Sequence, residues 1–316
     1  MGITKIEWAE KTWNPITGCT KVSEGCRNCY AERMSKRLAG RYGYPKDDPF
    51  RVTFHPDRLD QPLHWKKPST IFVCSMGDLF HQAVCFQQIA AVFGIMAATP
   101  RHTYVLLTKR PYEMRQWFER MTDYELGDCE IPRCWAYSMS EGRIQDFDVW
   151  PGTHRAEWPL PNVYLGVTVE NQQAADERIP TLLQIPAAGH WLSIEPMLSA
   201  IELGLLGTAP KTWGYGYKPV GDLISGVVLG GESGPGARPM HPDWARGVRY
   251  QCEAAGVPFM FKQWGAWAPA PNAGIIRYKE EVVTVGDADM RRLGAKRAGR
   301  LLDGREHNET AWEMPA

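Results

Sequence analysis

The chain has 316 residues, 44% of them hydrophobic, with 36 Lys and Arg against 36 Asp and Glu. That length holds one large domain or two ordinary ones around a sizeable core, and the zero formal charge excludes a global pull toward nucleic acid or membrane, so any such attraction has to be local. No apolar run approaches the ~20 residues of a membrane span and the N-terminus has no apolar signal core, so the eight cysteines read as reduced thiols or metal ligands of a cytoplasmic protein.

In chain order, a strand over 12–18 (TWNPITG) runs into Cys19, and the spacing Cys19-x6-Cys26-x2-Cys29 follows before a helix-like segment at 30–41. A strand over 51–55 ends in His55, and one over 70–75 ends in Ser75, with Asp78 and His81 just beyond. A helix is expected over 86–98. The strand at 103–108 leads into Thr108, Lys109 and Arg110, and Pro111 suits the first turn of a helix reaching 121. Residues 122–161 lose periodicity and read as an insertion. The strand at 162–168 brings Thr168, Glu170 and Asn171, with a helix over 172–185, and the strand at 190–194 brings Ser193 and Glu195. Residues 203–224, rich in Gly and Tyr, are a second insertion. The strand at 225–231 leads to Glu232, Ser233 and Arg238; a helix over 241–256 ends at Gly256, and the strand at 258–263 carries Lys262 and Gln263. After residue 268 the chain turns basic and turn-rich, which suggests a domain over 1–268 and a C-terminal appendage over 269–316 packed on it.

Most of these strands are continuously apolar, as strands buried on both faces of a parallel sheet are. Eight of them with helices between predict an α/β fold, a (βα)8-type or partial TIM-like barrel, with a doubly wound sheet as the alternative. The polar residues then stand at the C-terminal strand ends, where such folds gather one functional mouth.

Three closely spaced cysteines admit four readings. Structural zinc wants a fourth ligand, and the next candidates, His55 and Cys74, are far along the chain. A Cys26–Cys29 redox pair leaves Cys19 unexplained. Unrelated buried thiols are the plainest reading. An iron–sulfur cluster with three protein ligands leaves one iron open to a small molecule. Cys74, Cys85, Cys129, Cys134 and Cys252 form no second set, and Lys21, Arg27 and Arg33 are cations that can offset thiolate charge.

The blocks IEWAEKTWNPITGCTKVSEGCRNCYAERM, SMGDLFH, VLLTKRP, LGVTVENQQAADERIP, SIEPML, GGESGPGARPMHPDWARGVRYQCEAAGVPFMFKQWG and AGRLLDGREHNE resemble an uncharacterised phage and prophage family with a three-cysteine motif. That family is in turn similar to radical S-adenosylmethionine (SAM) enzymes, although the first cysteine gap is six rather than three and Asn28 stands where an aromatic residue usually precedes the third cysteine. The resemblance implies a [4Fe–4S] cluster on Cys19, Cys26 and Cys29, SAM on its open iron, an electron donor such as flavodoxin or ferredoxin, and hydrogen-atom abstraction from a substrate. Within it Asp78 suits the SAM amino group, Glu170 and Asn171 with Thr168 the ribose, and Ser75 or Lys109 the carboxylate. Lys109, Glu195, Glu232, Arg238 and Lys262 become candidate catalytic residues, with Gln263 beside them. A nucleotide or nucleic acid base is the expected substrate, stacked on Trp213, Tyr215 or Tyr217. A non-enzymatic iron–sulfur or zinc protein that binds nucleic acid or a protein partner, and a metal-free hydrolase using Glu195 and Glu232, are the competing readings.

Overall fold

Most of the apolar runs form one parallel sheet. The computed structural model describes residues 4, 6–123, 158–211, 217–269 and 280–312; most of the insertion expected at 122–161, with Cys129 and Cys134, and also Trp213 and Tyr215, lie outside them. Strands β1 (Lys11–Trp13), β4 (Thr70–Val73), β5 (Thr103–Thr108), β6 (Val163–Thr168), β7 (Gly189–Ile194), β8 (Ile224–Gly230) and β9 (Phe259–Gln263) form one sheet in that order. Every neighbouring pair is parallel. Sequential order in an all-parallel sheet gives a partial TIM-like barrel, open between edge strands β1 and β9.

The run at 12–18 divides, because Pro15 has no N–H to give a ladder. Its second half, β2 (Ile16–Thr17), turns away and pairs antiparallel with β3 (Thr53–Phe54). The run at 51–55 is therefore a ribbon beside the sheet and not one of its strands. His55 closes this ribbon. It is 4% exposed, its Nε2 lies 2.7 Å from the Thr17 hydroxyl, and burial, helped by nearby Arg58, lowers its pKa from 6.5 to about 4. The neutral ring is a structural element. Unfolded His55 takes up a proton near pH 6.5, while the folded form resists until about 4, so its contribution is complete above 6.5 and declines as pH falls toward 4. Urea unfolding at pH 7, 6 and 5 is expected to show this slope, and His55→Gln is expected to flatten it.

Helices α1 (Tyr30–Leu38), α2 (Phe86–Ala98), α3 (Pro111–Asp123), α4 (Gln172–Leu182) and α5 (Pro242–Ala255) connect the strands. The main core lies between them and the sheet; α2 is apolar all round and stacks Phe93 on Trp117 of α3 at 4.6 Å. Beyond β9, β10 (Trp267–Pro269), β11 (Val282–Val285) and β12 (Ala288–Arg292) form a three-stranded antiparallel sheet, and the chain then returns to β9, where Phe261 N donates to His307 O at 3.0 Å. No described helix is long and apolar enough to cross a membrane.

The inner face has a core of its own. Trp191 lies across β6 where Gly166 leaves room, since a Cβ there would strike the indole. Trp8 and Trp312, from opposite ends of the chain, pack on Trp191 at 5.3 Å each, and Trp312 Nε1 donates to Trp8 O at 3.1 Å. This tryptophan plug packs the inner face of the half-barrel, and the C-terminal strand ends form its mouth. Trp312→Ala is expected to cost about 3–5 kcal/mol of stability in urea unfolding.

Candidate functional site

A cavity of about 1090 Å³ opens at this mouth, with Cys19, Cys26 and Cys29 in its wall. The facing walls come from the strand ends: Ser75 and Asp78 after β4, Lys109 and Arg110 after β5, Thr168 on β6, Glu195 after β7, Glu232 after β8, and Lys262 on β9. All three cysteines are free thiols and half-buried.

Three carboxylate–arginine pairs hold the cysteine loop, their carboxylates following the alternate strands β4, β6 and β8. At its start, Arg110 Nη1 donates to Asp78 Oδ2 at 2.9 Å and to Cys19 Sγ at 3.2 Å, and Arg110 Nη2 donates to Thr20 O at 2.9 Å. Asp78 also accepts from the Thr108 hydroxyl at 2.8 Å and Phe80 N at 3.1 Å, so both its oxygens are engaged. In the middle, Glu170 is fully buried, accepts from Arg178 Nη1 at 2.8 Å and from the Ser23 hydroxyl, and backs directly onto Gly25, where a Cβ would sit 3.1 Å from the carboxylate. A side chain there would have to push the carboxylate back by a few tenths of an ångström. At the far end, Arg238 binds Glu232 through Nε at 2.9 Å and Nη2 at 2.7 Å, and Nη2 reaches Glu24 O at 3.0 Å. Asn28 Nδ2 donates to the same Glu232 at 3.1 Å and to Gly236 O at 2.8 Å.

Burial opposes ionisation of Cys26, but the Lys109 ammonium and backbone hydrogen bonds at Val22 and Ser23 outweigh it and hold the thiol below its ordinary value. Burial and the Asp78 carboxylate push Cys19 up to about 11, against the pull of Arg110. Bound metal deprotonates such thiols outright. Among the described residues, the His, Cys, Asp and Glu ligand atoms that gather in threes within 4.8 Å are those of His241, Asp243 and Asp287. The sulfurs of Cys19, Cys26 and Cys29 do not all lie within 4.8 Å of one another.

Glu195 and Lys262 form the remaining charged pair of the mouth, with Lys262 Nζ 2.9 Å from both carboxylate oxygens and Gln263 Nε2 at 3.4 Å. Ser75 Oγ donates to Asn14 Oδ1 at 3.2 Å. The cavity thus gathers Cys19, Cys26, Cys29, Ser75, Asp78, Lys109, Thr168, Glu195, Glu232 and Lys262. Glu170, Asn171 and Arg238 stand behind its wall. Asn171 is the N-cap of α4, accepting from Ala174 N at 2.9 Å. Arg178 and Asn28 were not among the site residues expected from sequence, and Arg110 stood there only as a polar strand end. The one local signal for Arg178 is its place two turns into the helix after Glu170.

A model of a family described as protein of unknown function, DUF5131, matches residues 3–311. The chain belongs to this family. No curated protein matches the DUF5131 chain at a significant level. Among solved structures it is similar to spore photoproduct lyase complexed with dinucleoside spore photoproduct, at 10% identity and TM-score 0.40, covering 92% of this chain and 70% of that one. A tyrosine-to-phenylalanine variant of that lyase matches at 10% identity, TM-score 0.38 and the same coverage.

Proposed function

We propose that this DUF5131 protein is a radical SAM enzyme in which Cys19, Cys26 and Cys29 hold a [4Fe–4S] cluster whose fourth iron is open to SAM. The carrying observation is three free thiols on one clamped loop, facing a large cavity at the C-terminal ends of a parallel half-barrel. When bound, the cluster and SAM supply reductive cleavage of the sulfonium and hydrogen-atom abstraction, with a flavodoxin- or ferredoxin-type protein as electron donor.

The chain's own residues supply binding and orientation. Lys109 places a cation between Cys26 and Glu170, where it offsets thiolate charge and suits the SAM carboxylate. The Thr168 and Ser193 hydroxyls, on neighbouring strands, offer hydrogen bonds to the cofactor's amino or ribose groups. Asp78, Glu170, Glu232 and Arg238 act through the loop they hold, and Asn171 through the α4 cap. Glu195 and Lys262, on the far wall, orient the substrate.

Anaerobic reconstitution with iron and sulfide, then reduction in the presence of SAM, tests the reading. About four irons per chain, a visible charge-transfer band and 5′-deoxyadenosine are expected. One zinc per chain with no deoxyadenosine would overturn it.

A further inference from the structure

Charge is not evenly spread over this neutral chain. Residues 19–51 hold eight Lys and Arg against four Asp and Glu. Much of that excess emerges on one side of α1. Tyr30, Arg33 and Arg37 recur at helical spacing, and Arg41, just past the helix, sits beside Arg37 with its Nη2 donating to the Arg37 carbonyl at 2.8 Å. Tyr30 is 61% exposed and Tyr42 75% exposed. Four of the other cations are already paired: Lys21 and Lys36 with Glu32, Arg27 with Glu24 and Arg51 with Asp47. Among the described residues, Arg37 and Arg41 have no carboxylate partner; Arg37 Nη1 reaches only the Met34 sulfur, at 4.0 Å.

This strip continues inward. Tyr30 and Arg33 also line the cavity, so exposed surface and interior meet at the lip beside Cys29. Arg33 Nη2 donates to Ser233 O at 3.3 Å, while its Nη1 is buried with no hydrogen-bond partner, a donor left open at the inner end of the strip. The cavity, at about 1090 Å³, lies just above the 300–1,000 Å³ typical for one ligand, which leaves room for a nucleotide-sized group beside SAM.

Resting on the radical SAM reading of the cavity, we infer that the α1 strip is the docking track for a single-stranded nucleic acid that delivers one base to the mouth. Arg37 and Arg41 take backbone phosphates, Tyr30 stacks on a base at the lip, and Arg33 receives a phosphate or base oxygen at the threshold. A folded acidic protein fits less well. Its interface wants a contiguous apolar centre, whereas here each tyrosine is isolated among cations, and the track runs into a cavity that a folded surface cannot enter. A duplex would first have to extrude the base.

Fluorescence anisotropy with the full-length chain, before and after cluster reconstitution, tests this with a labelled 15-nucleotide single strand as DNA and as RNA, and with the matching duplex. Binding needs no SAM cleavage, so a negative deoxyadenosine assay leaves this result standing, and the reverse. The single strand is expected to bind more tightly than the duplex and to weaken with salt. Arg37→Glu/Arg41→Glu is expected to weaken it at least tenfold and to flatten the log–log salt slope by about 1.4, at roughly 0.7 per phosphate contact. Tyr30→Ala is expected to weaken it about tenfold with the slope unchanged, and Arg37→Gln/Arg41→Gln, which adds no repulsion, to give a smaller loss in the same direction. Wild-type affinity in these variants, or equal or tighter duplex binding, overturns the inference. So does an acidic flavodoxin whose binding is lost in the charge-reversed variant while oligonucleotide binding is untouched.

Discussion

Cys19→Ala, Cys26→Ala and Cys29→Ala are each expected to leave the reconstituted protein without stable iron and to reduce SAM cleavage at least about a thousandfold, because that chemistry belongs to the bound group and not to the protein. Any two remaining thiols sit at two corners of a site whose third wall is then apolar. Iron analysis, the visible spectrum and deoxyadenosine formation read the loss. Cys85→Ser is the matched control: that thiol is exposed, caps α2 and lies outside the cavity, so iron content is expected to stay at the wild-type level. Arg110→Met should fall between them. Its guanidinium lies 3.2 Å from Cys19 Sγ and also binds Asp78, and loss of a residue that orients a ligand typically costs 10–100-fold in metal retention. Full activity in the triple cysteine variant would instead favour a metal-free hydrolase built on Glu195 and Glu232.

The strands at 70–75, 103–108, 162–168, 190–194, 225–231 and 258–263 were legible because burial on both faces leaves mostly apolar residues along each run. The segment 51–55 shares that texture over too few residues to separate a central strand from a ribbon, and Pro15 was the local sign that the first run would break. The thiols were legible from their spacing alone. What holds them was not. Glu24 and Asn28 meet Arg238 and Glu232 across some two hundred residues, and no local pattern encodes that meeting. The same limit applies to the tryptophan plug, in which Trp8 and Trp312 are neighbours only in the folded chain. Glu170 and Asn171 read as cofactor ligands because they follow a strand end; in the fold one backs the cysteine loop and the other caps a helix.

Arg178→Met is expected to destabilise the protein by about 3–5 kcal/mol, the usual cost of stranding one member of a buried ion pair. Arg178 gives Glu170 a contact at 2.8 Å and Thr168 O one at 2.7 Å, and Glu170 is fully buried. By contrast, Glu119→Gln, which breaks the exposed pair with Arg115, is expected to cost less than about 0.5 kcal/mol. Burial raises the Glu170 pKa, but Lys109, Arg178 and the Ser23 hydroxyl outweigh it and hold the carboxyl below its ordinary 4.5. The pair's contribution is therefore complete above about pH 4.5 and is lost as pH falls through the folded-state value. It follows that the gap between wild type and Arg178→Met, measured by urea unfolding, widens from pH 4 to pH 7. Glu170→Gln/Arg178→Met, which leaves no buried charge stranded, should recover part of the stability. It should not recover iron. Glu170 is what Ser23 and Gly25 rest against, so the double variant is expected to stay 10–100-fold weaker in iron retention. Recovery of stability without recovery of iron would separate a residue that positions the cysteine loop from one that merely fills the core.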